Sequence, residues 1–162
     1  MPRKWASFSP APPFLPTSRK GVIFPAPSFA HGDVVIVNDT FHGGTHLPDI
    51  TVVEAVFDTS GQPLFYAVNR AHHADVGGRN PGSMGFVSDI ADEGVLIFPT
   101  LLSCRGVINN DFLDRFLAGV RNPEERKGDL RAQLAALKRG KTRLLELHAK
   151  YVSTTLPQSL AN

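Results

Sequence analysis

Short runs of β-branched and aromatic residues alternate with turn residues through the middle of the chain, a pattern typical of strands. Residues 34–37 have the sequence VVIV, and two longer apolar runs occupy residues 50–57 and 64–72. The cluster DTSGQP between the longer runs predicts a turn, and therefore an antiparallel hairpin. A fourth strand is expected over residues 94–102, although Pro99 should place its second half at the edge of a sheet or outside it.

The apolar spacing becomes helical after residue 110. Phe112, Phe116 and Val120 recur at intervals of four behind Asn109 or Asn110, either of which can cap a helix. Strands that precede helices predict an α+β fold, with mixed or antiparallel strands in the first two-thirds of the chain.

A second helix is expected to follow the Asn122-Pro123 pair, which should break the first one. Asp129 should cap it, and Gly140 either interrupts it or is tolerated within it. Its predicted apolar stripe consists of Leu130, Leu134, Leu137, Leu144, Leu147 or His148, and Tyr151.

The two ends of the chain differ from its middle. Seven of the 13 prolines lie in the first 30 residues, and no Asp or Glu precedes Asp33. Because proline removes backbone donors and restricts its neighbour, residues 1–31 are expected to form a disordered tail. Residues 152–162 show no periodicity and are expected to be irregular. The predicted folded core is therefore residues 32–151.

Charge and composition exclude several classes of protein. The chain has 17 Lys+Arg against 15 Asp+Glu, a net charge of +2, so it is not a strongly basic nucleic-acid binder. No apolar run approaches the roughly 20 residues of a membrane helix, so no membrane partner is expected either. The single cysteine, Cys104, rules out an intramolecular disulfide and is expected to be a buried structural residue. These features are those of an ordinary globular protein.

Two loops contain the candidate chemistry. The first, residues 38–49, has the sequence NDTFHGGTHLPD, and its two adjacent glycines allow close backbone approach or a positive φ. Its His and Asp side chains could supply metal ligands or acid–base groups. Surface loops are also rich in these residues for turn formation alone, and the composition does not decide between the two interpretations.

The second loop, residues 69–78, has the sequence NRAHHADVGG and begins at the end of a predicted strand. His72 and Asp75, three residues apart, could both point at one cation, with donors suited to Zn, Mn or Fe. Alternatively, His73 simply points to the other face of the sheet and Asp75 forms a turn with Gly77 and Gly78.

Five segments, in order, resemble the hydantoinase B/oxoprolinase family. They are GDVVIVNDTFHGGTHLPDITVV, NRAHHADVGG, NPGSM, DEGVLIFP and GDLRAQLAAL. The resemblance covers about residues 32–151, and it favours the functional interpretation of both loops.

The resemblance implies a component of an ATP-dependent cyclic-amide hydrolase of the hydantoinase or 5-oxoprolinase type. In this interpretation ATP is bound by a hydantoinase A-type partner subunit, the substrate is a small cyclic amide, and the protein is cytoplasmic. The family's metal pair falls on His72 and Asp75, which would bind a divalent cation, Zn, Mn or Fe. The implied catalytic residues in the same cleft are Asp39, His42, His46, Asp49 and His73.

Family members are several times longer than this chain, which we therefore expect to correspond to a fragment of the larger family fold. An upstream segment with a further metal-ligand Asp is replaced here by the proline-rich sequence. Two alternatives consequently remain open. The chain could be a truncated, catalytically inactive fragment of such a subunit, or a stand-alone metal-binding module.

Overall fold

The structure is a computed structural model that describes residues 29–83 and 85–151. The predicted C-terminal tail, and the predicted N-terminal tail up to residue 28, lie outside these ranges. Within the described residues no helix is long and apolar enough to cross a membrane.

The described residues form one antiparallel sheet of five strands. In spatial order the strands are β3-β2-β1-β4-β5, so the first strand of the chain lies at the centre. Their bounds are β1 Val34–Val37, β2 Asp49–Phe57, β3 Pro63–His72, β4 Thr100–Cys104 and β5 Val107–Ile108. The predicted α+β class, with strands before the long helices, is confirmed.

The predicted hairpin is confirmed as β2 and β3. Its turn is closed by Asp58, whose Oδ1 accepts the backbone N–H groups of Ser60 at 2.8 Å and Gln62 at 2.9 Å. The register pairs Asp49 at the start of β2 with His72 at the end of β3. Opposite residues of an antiparallel pair share a face, so the hairpin brings these two side chains together.

The prediction of a strand over residues 94–102 is wrong in its first half. The fourth strand begins at Thr100, and it pairs with β1 inside the sheet rather than lying at an edge. Pro99 precedes the strand, so its missing N–H costs no ladder hydrogen bond. Upstream, Ile97 donates its N–H to the side chain of Asn38 and accepts the N–H groups of Asn38 and Asp39.

Three α-helices occur among the described residues: α1 Ile90–Glu93, α2 Asn110–Ala118 and α3 Pro123–Tyr151. The first predicted helix is confirmed as α2. Its cap is Asn109, whose side chain accepts the N–H of Phe112 at 3.1 Å. Phe112 and Phe116 are both buried, as their spacing predicts.

The long helix α3 begins at Pro123, six residues before the predicted start at Asp129. Proline suits the first turn of a helix, where its missing N–H has no intrahelical partner in any case. Gly140 is tolerated within the helix. The predicted apolar stripe weakens toward the C-terminus, where Leu147 and Tyr151 are 52% and 41% exposed.

The hydrophobic core lies between one face of the sheet and the helices α2 and α3. The sheet contributes Ile36, Ile50 and Val52, and α3 contributes Leu130 and Leu137, all at most 2% exposed. Each such buried aliphatic side chain stabilises the fold by about 1.5–3 kcal/mol. Cys104 is exposed, so the prediction that it is buried is wrong; it lies at the end of β4, next to the solvent-facing β4–β5 turn.

Candidate functional site

The site lies where the β1–β2 connection meets the end of β3. Asn38, fully buried at the end of β1, fixes this connection. Its Nδ2 donates to the carbonyls of Leu47 at 2.8 Å and Val95 at 2.9 Å, and its Oδ1 accepts the N–H of Ile97 at 2.7 Å. Asn38 thus joins both ends of the loop to the segment before β4. This role of Asn38 was not predictable from the sequence, because its partners lie nine or more residues away.

The two glycines of the loop have different roles. Gly43 has a φ of 100°, as the sequence allowed. Gly44 packs against the backbone: a Cβ there would lie 2.1 Å from the carbonyl oxygen of Asn38. Its N–H also donates to the carbonyl of Asp39 at 2.7 Å. Gly44 therefore allows a tight loop that holds its polar side chains in fixed positions.

Asp39 and His42 form the first polar pair of the site. Nδ1 of His42 lies 2.6 Å from Oδ2 of Asp39, and Oδ1 of Asp39 accepts the N–H of Phe41 at 2.8 Å. The carboxylate is buried, whereas the His42 side chain is half-exposed and packs edge-on against Phe98. A carboxylate on Nδ1 fixes the tautomer in which Nε2 carries the lone pair.

His46, Asp49 and His72 form the second group. Nδ1 of His72 lies 2.7 Å from Oδ1 of Asp49, and Thr45 donates its hydroxyl to Oδ2 of Asp49 at 3.2 Å. The rings of His46 and His72 have centroids 5.9 Å apart. One ligand atom from each of the three residues lies within 4.8 Å of the other two. The hydrogen bond with His72 is the largest cause that lowers the pKa of Asp49 below 3.8, so this carboxylate is ionised at neutral pH.

Asp75, the second residue of the predicted metal pair, is held by Arg121. Its Oδ2 accepts the backbone N–H of Arg121 at 2.6 Å, and its Oδ1 accepts Nη1 of Arg121 at 2.6 Å and the N–H of Gly77 at 3.1 Å. Burial opposes ionisation of Asp75, but these hydrogen bonds and the charge of Arg121 outweigh it and lower the pKa. The carboxylate is therefore not free for a cation at His72 unless these donors are displaced. No local pattern indicates Arg121 as a partner, because it lies 46 residues away.

His73 lies on the sheet face that packs against α3, because side chains alternate along the chain from His72. It is 1% exposed, and its Nε2 lies 2.9 Å from Oε1 of Gln133. The amide nitrogen of Gln133 donates to Ile50 and Asn69, so its oxygen faces the imidazole and Nε2 of His73 must be the donor. Among the residues that the structure describes, Nδ1 of His73 has no hydrogen-bond partner. Burial is the largest cause of the lowered pKa of His73, which makes its neutral form dominant at neutral pH.

The structure thus brings most of the sequence-predicted site residues together at one end of the sheet. They form the Asp39–His42 pair and the group of His46, Asp49 and His72. His73 and Asp75 instead make contacts with α3 and with the segment that precedes it. Two imidazoles that each lie on a carboxylate, those of His42 and His72, can accept and release protons or bind a cation.

The family model described as hydantoinase B/oxoprolinase matches residues 15–162, beyond the range of the motifs at both ends. The chain belongs to the hydantoinase B/oxoprolinase family. A 5-oxoprolinase of Saccharomyces cerevisiae is 35% identical over 141 residues, which are 80% of this chain and 11% of that protein. A putative D-/L-hydantoinase subunit from a Pseudomonas species is 34% identical over 126 residues, 76% of this chain and 21% of that protein.

The fold is also similar to a solved relative. The crystal structure of the ATP-dependent caprolactamase from Pseudomonas jessenii matches with a TM-score of 0.72 and 32% identity, over 77% of this chain and 22% of that chain. The chain therefore spans about a fifth or less of the length of these hydantoinase B/oxoprolinase relatives.

Proposed function

We propose that this chain contributes a proton-transfer site to an ATP-dependent cyclic-amide hydrolase of the hydantoinase or 5-oxoprolinase type. It acts with an A-type partner subunit that binds ATP, and the substrate is a small cyclic amide. The observation that carries the proposal is the buried Asp39 carboxylate on Nδ1 of the half-exposed His42, 2.6 Å away, in a member of this family.

The names of the relatives support the substrate class. Hydantoin, 5-oxoproline and caprolactam, the compounds in those names, each contain an amide within a ring. Amide carbonyls resist water because the nitrogen lone pair is delocalised onto the oxygen. Transfer of a phosphoryl group from ATP to that oxygen, on the partner subunit, would make the carbon a better electrophile.

His42 and Asp39 are suited to the steps that follow this activation. Water must lose a proton as it adds to the carbonyl carbon, and the ring nitrogen must gain one as the C–N bond breaks. The acyl phosphate that remains is hydrolysed by a second water, which releases inorganic phosphate. Nε2 of His42 can accept the first proton and return it to the nitrogen. The buried Asp39 holds the imidazole in the required tautomer and stabilises its protonated form. General acid–base catalysis of this kind contributes about 10²–10⁴-fold in rate.

The proposal includes a divalent cation and a cytoplasmic location. A cation beside the imidazoles would polarise the carbonyl and lower the pKa of bound water. The proton transfers assigned to His42 and Asp39 use the chain's own residues, and they are tested separately from the binding of a cation.

The test is a reconstituted assay of the full chain with a hydantoinase A-type subunit, ATP, and 5-oxoproline or hydantoin. Ring-opened product and ADP should form only when both chains are present. His42→Ala should lower the rate at least about 100-fold, the low end expected for loss of a general base. The matched control His148→Ala, which changes a histidine against Phe65 near the start of β3, should retain the rate. ATP-dependent product that forms equally without this chain would refute the proposal.

A further inference from the structure

We infer that residues 22–27, with the sequence VIFPAP, pack in the groove between the outer edge of β3 and helix α3 of the same chain. In this arrangement they cover that edge of the sheet instead of belonging to a disordered tail. The contact lies within one chain and does not depend on the proposed hydrolase activity.

The groove is an open space at one side of the sheet. Within the described residues β3 pairs only with β2, so its other edge carries backbone groups that have no strand partner. Residues 66–69 of β3 line one side of the groove, and Ala136, Gly140 and Leu144 of α3 line the other. Its volume is about 280 Å³, the space of about nine water molecules. The hydrophobic effect favours an apolar segment that displaces this water.

The walls of the groove suit an apolar segment. Val68 is 60% exposed and Tyr66 is 42% exposed, so apolar surface is available on the strand. On α3, Ala136 and Gly140 are four residues apart and therefore lie on one face of the helix. A Cβ added at Gly140 would meet no atom of another described part of the chain within 4 Å. A second backbone can consequently approach the helix closely at this point.

The chain enters the described fold beside this groove. The ring of His31 stacks on Phe57 at the end of β2, with centroids 6.0 Å apart. Two residues earlier, the ring of Phe29 meets Tyr66 of β3 edge-on, also at 6.0 Å. Followed from β1 toward the N-terminus, the chain thus crosses β2 and reaches β3, the edge strand. The residues that precede Phe29 are therefore attached next to Tyr66, which lines the groove.

Residues 22–27 fit the groove in composition and length. They are the apolar segment nearest to Phe29, and the polar sequence TSRKG precedes them. Six residues in a polyproline conformation span about 19 Å, and the groove is about 10–12 Å long by the rise of β3 and α3. The two prolines of the segment have no N–H, which suits a sheet edge better than a central strand. The family model begins at residue 15 and so includes the segment.

The experiment measures the rate of an engineered disulfide in the full chain. The variant carries Ala26→Cys and Gly140→Cys, and the exposed Cys104 is replaced by serine. Oxidised glutathione starts the reaction, and mass spectrometry follows the disulfide within one chain. Circular dichroism confirms that the chain is folded; should Gly140→Cys fail to fold, Ala136→Cys takes its place.

Two further substitutions separate packing in the groove from mere attachment nearby. Phe24→Asp places a charge in the segment and should slow the disulfide at least about tenfold, because burial of a phenylalanine side chain is worth such a factor in a packing equilibrium. The matched control Phe14→Asp lies outside the segment and should leave the rate unchanged. Without the cysteines, Phe24→Asp should also accelerate hydrogen exchange in β3 but not in the central strand β1.

Three outcomes would overturn the inference. Equal disulfide rates with and without Phe24→Asp would show that the segment does not pack in the groove. Disulfides between two chains, seen as dimers on a non-reducing gel, would assign the groove to a second copy of the chain. A disulfide rate that falls when an A-type subunit is added would assign the groove to that subunit. Loss of ring opening in the reconstituted assay would refute the proposed function but not this contact.

Discussion

The substitution Asp75→Asn separates a structural carboxylate from a metal ligand most clearly. In the structure this side chain is 7% exposed, and Arg121, its partner, is 44% exposed. Asparagine is nearly isosteric with aspartate, so the change removes the charge without leaving a cavity. Both carboxylate oxygens accept a hydrogen bond from Arg121, each 2.6 Å long, whereas an asparagine amide has a single acceptor oxygen, so one of these bonds is lost outright and the other loses its ionic part.

The expected loss of stability follows from these contacts. A hydrogen bond to a charged group contributes about 1.5–3 kcal/mol and a neutral one about 0.5–1.5 kcal/mol, so the retained bond loses about 1 kcal/mol and the lost bond about 1.5–3 kcal/mol. Breaking a fully buried ion pair costs more, about 3–5 kcal/mol, but Arg121 can be hydrated here, which reduces the cost. We expect a decrease of about 2 kcal/mol in the free energy of unfolding. For a chain of this size, that corresponds to about 4–8 °C in Tm.

Urea denaturation at pH 7, followed by circular dichroism, measures this decrease. Asp114→Asn on the exposed side of α2 is the matched control and should change stability by less than about 0.5 kcal/mol. Folding lowers the pKa of Asp75 below 3.8, so its charge stabilises the fold above that pH and ceases to do so as the pH falls through the folded-state pKa. The difference between wild type and variant should shrink accordingly in acid. Equal urea midpoints at pH 7 would refute the assignment of Asp75 as the partner of Arg121.

Three further predictions concern stability. Because burial lowers the pKa of His73 below 6.5, the unfolded state takes up a proton first, and stability should fall as the pH drops below about 6.5; His73→Gln should lessen this loss in urea titrations from pH 8 to 5, and His148→Gln should retain it. Asn38→Ala leaves two carbonyls and one N–H without partners and should lower the free energy of unfolding, measured by urea denaturation, by about 2–4 kcal/mol. An unchanged urea midpoint would contradict the role of Asn38 in the loop. Phe116→Ala should cost about 3–5 kcal/mol in thermal melts, against less than about 0.5 kcal/mol for Phe41→Ala, which changes a side chain that is 87% exposed; equal losses would contradict the core assignment.

The parts of the fold that depend on residues close together in the sequence were predictable. The hairpin of β2 and β3 follows from two apolar runs around one turn cluster, and α2 follows from its phenylalanine spacing and its cap. Proline positions were harder to interpret, because Pro99 lies just before strand β4, whereas Pro123 is the first residue of helix α3. A proline marks a boundary, but it does not show on which side the regular structure lies.

The candidate site was predictable as a list of residues but not as an arrangement. The family resemblance paired His72 with Asp75, three residues apart, whereas strand register gives His72 a partner 23 residues earlier, Asp49. The contacts of Asp75 with Arg121 and of His73 with Gln133 span 46 and 60 residues. Long-range contacts of this kind depend on how α3 docks on the sheet, which no local pattern in the sequence encodes.

The account is tested most directly by the rate of ATP-dependent ring opening when the full chain is combined with an A-type subunit. With 5-oxoproline as substrate and ATP in excess, we predict product from the wild-type pair and a loss of at least about 100-fold in the His42→Ala variant, with its melting temperature unchanged. Equal rates for the two proteins, or no ring opening by the wild-type pair on either 5-oxoproline or hydantoin, would contradict the proposed function.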